Sequence, residues 1–178
     1  MNARSNVVDG MATDETSGDF ETVFHAHYDR IARAIARVTG DPARAEELAV
    51  EVFWKLWRNP QAMGEKAGAW LYRTAVRTGL NELRHRVRRA RYERLSDGAA
   101  RSPTPEEAHA SAEEQEHVRR VLASMDRRQA ELLLLRGSGL KYEEVAAALN
   151  LNPAGVGTLI SRAQQAFRKE YVKRYGQQ

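Results

Sequence analysis

The chain has 178 residues, with Lys plus Arg 28 against Asp plus Glu 24 and 42% hydrophobic residues. That is enough for one medium or two small packed domains, and no run approaches the ~18 apolar residues a membrane-spanning helix needs. Cysteine is absent, which excludes disulfides, thiolate metal sites and a cysteine nucleophile, and suits a reducing, cytoplasmic setting.

Residues 1–18 are small, polar and acidic without periodicity, and read as a disordered tail rather than a secretory signal, with Met11 as an alternative start. From Phe20 the period becomes helical: Phe20, Val23, Phe24, His27, Ile31, Ala34 and Val38 fall on one face, and Gly40 ends the run. Asp41-Pro42 restarts a helix with an N-cap residue and a first-turn proline. Its inward stripe is Ala45, Leu48, Ala49, Val52, Phe53, Leu56 and Trp57, and Asn59-Pro60 stops it. Residues 60–66 read as a loop. A third helix carries Trp70, Leu71, Thr74, Ala75, Thr78 and Leu83, and runs into the arginine block Arg84, Arg86, Arg88, Arg89, Arg91 and Arg94.

Ser96 to Thr104 has linker composition. Thr104-Pro105-Glu106-Glu107 reads as a capping box that opens a helix, and Asp126 with Gln129 as a second one. Gly137-Ser138-Gly139 ends that helix, residues 141–149 make a short one, and Asn150-Leu151-Asn152 is a turn before a last helix that opens at Pro153 and runs to about Tyr171. No strand pattern occurs. The expected fold class is all-α: two small helical domains, residues 19–95 and 114–175, joined by a flexible acidic linker over 96–113.

Charge is segregated along the chain. Residues 71–101 hold nine arginines against Glu82, Glu93 and Asp97, whereas residues 96–117 hold one base against six acids. Alternating blocks of this size point to a polyanion-binding surface, the alternative being a solvated helix face. Residues 141–168 read as a helix-turn-helix. The second helix turns Val156, Ile160, Ala163 and Phe167 inward and leaves Thr158, Ser161, Arg162, Gln165 and Arg168 to face a major groove. Trp70 and Tyr72 followed by arginines suit splayed single strands, although Trp70 also fits a core position. Trp54 lies off the inward stripe of its helix beside acids, and either meets a partner protein or packs on the first helix. Catalysis finds no support: His25 and His27 point apart on a helix, and no phosphate loop, GxSxG or HExxH is present. No enzyme activity, cofactor or metal is expected.

These motifs, in this order, resemble the bacterial sigma-70 family, in particular the short extracytoplasmic-function (ECF) type with only regions 2 and 4. The resemblance spans residues 19–172. It is carried by Asp41 through Trp57, Ala69-Trp70-Leu71-Tyr72-Arg73-Thr74-Ala75 and Leu80 to Arg89 for region 2, and by Leu140 to Leu149 and Ile160-Ser161-Arg162-Ala163 for region 4. It implies a promoter-directing factor whose partners are core RNA polymerase, promoter DNA and an anti-sigma protein. Glu47, Leu48, Val50, Glu51 and Trp54 would bind the β′ clamp helices. Asn59, Gln61, Trp70, Arg73, Arg77, Asn81, Arg84 and Arg88 would hold the melted −10 element. Region 4 would meet the β-flap, and Gly157, Thr158, Ser161, Arg162, Gln165 and Arg168 would read the −35 element. The chain departs from the family pattern at Val50, where a polar contact is usual, and at Ala75-Val76-Arg77 and Asn81. It departs also at Lys141 and at Gly155-Val156-Gly157-Thr158-Leu159, which lacks two basic residues of the usual recognition helix. The alternative implied by those departures is a degenerate sigma-like protein with weak promoter recognition of its own; a free-standing helix-turn-helix repressor would leave the 46–57 helix unexplained.

Overall fold

A computed structural model describes the backbone of residues 9–97 and 107–176, with side chains over 19–93 and 111–176. Residues 1–8 of the expected tail lie outside the described residues, as do 98–106 of the linker, with Thr104 to Glu106 of the expected capping box. Among the described residues there are α-helices and two short 3-10 turns, and no strand: α1 (Asp9–Thr39), α2 (Pro42–Trp57), α3 (Ala67–Asp97), α4 (Glu107–Ser124), α5 (Arg127–Gly137), α6 (Tyr142–Leu149) and α7 (Pro153–Tyr175). Helix α1 begins before Phe20, inside the stretch read as a tail, and α4 begins inside the stretch read as linker. The 60–66 segment is two 3-10 turns, Pro60–Ala62 and Gly64–Lys66.

The helix boundaries follow local chemistry. Asp41 accepts from the Arg44 amide at 3.0 Å and Asn152 from the Ala154 amide at 3.0 Å, so two of the orphan first-turn donors are satisfied. Asp126 accepts from the Arg128 and Gln129 amides at 3.0 and 3.1 Å. Before α6 the cap is reversed: the Glu144 carboxylate accepts from the Lys141 amide at 2.6 Å. Gly40, at φ 70°, closes α1 by donating to the Ala36 carbonyl at 2.7 Å, a left-handed position that favours glycine.

Helices α1, α2 and α3 enclose the first core. Phe53 sits at its centre, with the rings of Phe24, Tyr28 and Phe20 at 4.9, 5.8 and 6.4 Å, above Ile31, Ile35, Val52, Leu56, Leu71 and Ala75. Helices α5, α6 and α7 pack Leu135, Val145, Leu149, Val156 and Ile160 together as the helix-turn-helix core.

Helix α3 has two apolar faces. Leu71 and Ala75 face the first core, while Val76, Leu80 and Leu83 are buried against residues of α4, α5 and α6. The sequence reading joined the two helical units by a flexible tether; the structure also packs them directly against one another. Burying each of these side chains contributes about 1.5–3 kcal/mol, against roughly 0–1 kcal/mol for an exposed ion pair. The apolar seam therefore supplies most of the attraction and the polar contacts fix its register.

Candidate functional site

Three surfaces carry the residues singled out in the sequence. The first is the outer face of α2. Glu47, Val50, Glu51 and Trp54 recur at three- and four-residue steps and all point outward, with Val50 56% and Trp54 60% exposed. So Trp54 does not pack on the first helix. Leu48 is a correction: it is buried in the first core on the opposite face, where no partner can reach it. Trp57, expected inward, is 43% exposed at the end of α2, with the Phe20 ring against it edge to face at 4.9 Å. The Arg44 guanidinium ties this face to α3, with Nη1 2.6 Å from Glu47 and Nη2 3.2 Å from Glu82. The hydrogen bonds to Glu47 and then Glu82 raise its pKa further above the ordinary arginine value.

The second surface runs from the 59–66 turns along α3. Gln61 is exposed, while Asn59, Arg73 and Trp70 are half-buried, the last of these packed on the first core. Farther along, α3 meets the other unit. Arg77 donates from Nε and Nη2 to the two Glu131 carboxylate oxygens at 3.0 and 3.3 Å. The Glu131 side chain is only 4% exposed and also pairs with Arg127 at 3.3 Å. Asn81 accepts from Arg127 at 2.8 Å. Arg84 donates to the Ala123 and Met125 carbonyls at 3.1 and 2.9 Å, using unsatisfied acceptors at the end of α4. Of the arginine block, Arg88, Arg89 and Arg91 are exposed, and Arg88 lies 3.2 Å from the His85 ring nitrogen. Arg86 turns back to the Thr39 carbonyl and to Glu116, the latter at 3.2 Å.

The third surface is α7. Thr158, Ser161, Arg162, Gln165 and Arg168 are exposed on one side, and Val156, Ile160 and Ala163 are buried on the other, as the inward stripe required. Gly157 is half-covered, because the Tyr142 ring lies over it. The guanidinium of Arg136 stands 5.5 Å from the centre of that ring. Beside α7, an apolar groove of about 530 Å³ is lined by Val118, Leu122, Leu133, Leu134, Phe167 and Tyr171.

Sequence reasoning missed Glu131, Arg127 and Tyr142. A lone glutamate within a leucine-rich helix was the only local sign of Glu131, since its partner Arg77 lies 54 residues away. Between α1 and the α5–α6 turn a cleft of about 640 Å³ holds His27, Arg30 and Arg33. Burial, and then the charge of Arg30, holds the His27 pKa below the usual 6.5, and its Nδ1 has no hydrogen-bond partner. Among the described residues no cluster of three or more His, Cys, Asp or Glu is placed to hold a metal ion, and no helix is long and apolar enough to cross a membrane.

Comparison with known proteins agrees with this layout. Residues 23–89 match the family model for sigma-70 region 2, and residues 115–166 that for sigma-70 region 4. The "ECF RNA polymerase sigma factor SigE" of Mycolicibacterium smegmatis is 28% identical over 92% of this chain and 68% of its own length. The "Probable RNA polymerase sigma factor RfaY" of Xanthomonas campestris pv. campestris is 29% identical over 78% of this chain, which spans only 36% of that relative. Among solved structures, CnrH in complex with the cytosolic domain of CnrY aligns with a TM-score of 0.54 over 89% of this chain and 92% of CnrH, at 19% identity. The sigma factor RpoE in complex with the anti-sigma factor NepR, from Bartonella quintana, aligns with a TM-score of 0.50 over 85% of this chain and 96% of RpoE, at 23% identity.

Proposed function

Because this chain belongs to the sigma-70 family, carrying region 2 followed by region 4, we propose that it is an RNA polymerase sigma factor of the ECF type, which directs core polymerase to promoters and nucleates melting. The observation that supports this best is the outer face of α2. The tryptophan and valine, flanked by Glu47 and Glu51, are each more than half exposed among the described residues, and an exposed aromatic among acids is what an interface centre uses. In this reading α2 docks on the β′ clamp helices, and the apolar groove beside α7 takes the β-flap. The 59–88 surface holds bases that leave the stack, offsetting a few kcal/mol of unstacking per base. The exposed side of α7 lies in the −35 major groove. No covalent step is involved, so the chain acts in the cytoplasm by binding alone. An anti-sigma protein completes the set of partners.

Run-off transcription with core polymerase and a library of genomic promoter fragments tests this. Promoter-selective transcripts that require the chain are expected, and transcription no more selective than core alone would overturn it. One observation favours the weaker reading, a sigma-like protein that reads promoters poorly: the first basic residue of α7 is Arg162, nine positions past Pro153, whereas base edges are reached from the N-terminal turns of such a helix. Polymerase binding without selective transcripts would be its signature.

A further inference from the structure

We propose that the cleft between α1 and the α5–α6 turn binds a nucleoside di- or triphosphate, with the phosphates on the arginines of α1 and the base against Tyr72. This goes beyond the sigma reading and does not depend on it. Helix α1 buries Ile31, Ile35 and Val38 on its core side. Another side carries His27, Arg30, Arg33 and Arg37 at three- and four-residue steps, and all four line the cleft. Among the described residues Arg30 and Arg33 are exposed and make no hydrogen bond or ion pair. Arg37 donates from Nη1 alone, to the Gly137 carbonyl at 3.0 Å. By contrast, Arg44, Arg77, Arg86 and Arg174 each pair with a glutamate.

Like charges three and four residues apart on one helix repel each other, and an anion among them reverses that sign. Guanidinium forks match phosphate oxygens two at a time. Two carboxylates also line the cleft, but neither holds these arginines: Glu144 accepts from the Lys141 amide at 2.6 Å, and Glu65 makes no ion pair among the described residues. His27 reports the same excess of positive charge. Burial, and then Arg30, lowers its pKa, and its buried Nδ1 has no partner. The rest of the wall is of another kind, with Ala69, Tyr72, Leu140 and Ala147. A volume of about 640 Å³ is of the size of small-molecule sites and far exceeds one phosphate. A ligand with an anionic end and a flat, weakly polar end fits both walls, and an aromatic ring is a platform on which any base stacks. Because the walls come from both helical units, an occupant raises the stability of the packed chain by mass action.

The test is isothermal titration calorimetry of the full chain with ADP, ATP, pyrophosphate and adenosine, without added divalent metal. ADP and ATP should each bind once per chain. Arg30→Ala and Arg33→Ala should weaken ADP at least about tenfold; both side chains are exposed and unpaired, so the variants keep the fold, which circular dichroism checks. Ala147→Glu places a carboxylate at an exposed position on the facing wall and should weaken ADP by a similar factor. Lys169→Ala, an exposed cation on α7 outside the cleft, controls for the general attraction of a basic chain for anions and should stay within about twofold. Pyrophosphate should bind at least about fivefold more weakly than ADP, and adenosine not measurably. In NMR spectra the His27 ring should titrate at higher pH with ADP bound, because the phosphates offset Arg30. No heat with ADP or ATP at about 1 mM, an equal loss in Lys169→Ala, or full affinity in Ala147→Glu would overturn the proposal. Pyrophosphate as tight as ADP would overturn the nucleotide and leave a site for bare phosphates. Run-off transcription by the native chain reports on the sigma reading alone, so selective transcripts without nucleotide binding, or binding without transcripts, refute one reading and spare the other.

Discussion

The Tyr142 ring lies over Gly157 so closely that a methyl group at 157 would come within 3.3 Å of its Cε2, whereas a methyl at Gly155 would meet nothing. Both glycines lie inside α7, where each costs up to ~1 kcal/mol against alanine. Gly155→Ala should therefore raise Tm by about 2–4 °C. Gly157→Ala should gain less, because the half-exposed tyrosine must give way by a few tenths of an ångström. Thermal unfolding followed by circular dichroism checks the order of the two; a larger gain at 157 would mean that Tyr142 does not occupy that space. An arginine at 157, placed to restore a basic contact to the groove, would first have to displace this ring.

Leu48 and Trp54 lie on opposite faces of α2, and their truncations should separate cleanly. Leu48→Ala opens a cavity in the first core and should cost about 2–5 kcal/mol of stability. Trp54→Ala should leave Tm within about 1 °C, yet weaken association with core polymerase at least about tenfold, equivalent to ~1.4 kcal/mol. Size-exclusion co-elution and fluorescence titration with core enzyme report the second effect, and equal polymerase affinity in Trp54→Ala would remove α2 from the interface.

Arg88 and Arg89 are exposed at the far end of α3, beyond the covered stretch. Reversing both to glutamate should reduce the slope of log K against log salt for single-stranded DNA by about 1.4, since each of the two phosphate contacts contributes roughly 0.7. Stability should be unchanged. An unaltered slope would mean that this end of α3 is merely solvated.

His27 makes stability depend on pH with a definite sign. Its folded pKa is depressed below 6.5, by burial first and Arg30 second. Between the folded and unfolded values the unfolded chain binds more protons, so stability rises with pH in that window. The contribution is intact above 6.5 and is lost as the pH falls from there toward the lowered folded value. Tm measured at about pH 7.5 and about pH 5 should drop more for the native chain than for His27→Gln. Equal drops would place the acid sensitivity elsewhere.

Much of this architecture is legible in the sequence because its signals are local. Asp41, Asp126 and Asn152 cap the helices they precede, and the 3.6-residue period marks Val52, Phe53 and Leu56 as buried. Less legible is what a face meets. Leu48 satisfies the inward period and also falls within the motif shared with the family, and only the packed core decides between the two. The period of α3 shows apolar residues nearly all round, which is compatible with one thick core or with two thin ones; the second face needs α4–α6 in place to be recognised. Arg84 belongs to a basic run in the sequence, yet in the fold it holds carbonyls at the end of α4, a pairing across 39 residues. Such long-range partnerships leave no periodic trace.

The two-sided character of α3 also bears on how the protein is made. Val76, Leu80 and Leu83 leave the ribosome well before Leu122, Leu132 and Leu135, the groups that cover them. At roughly 5–20 residues per second, the intervening ~50 residues take about 3–10 s to synthesise. During that interval the nascent N-terminal half carries a bare greasy strip beside an arginine-rich stretch, a combination that invites holdase capture or premature attraction to ribosomal RNA.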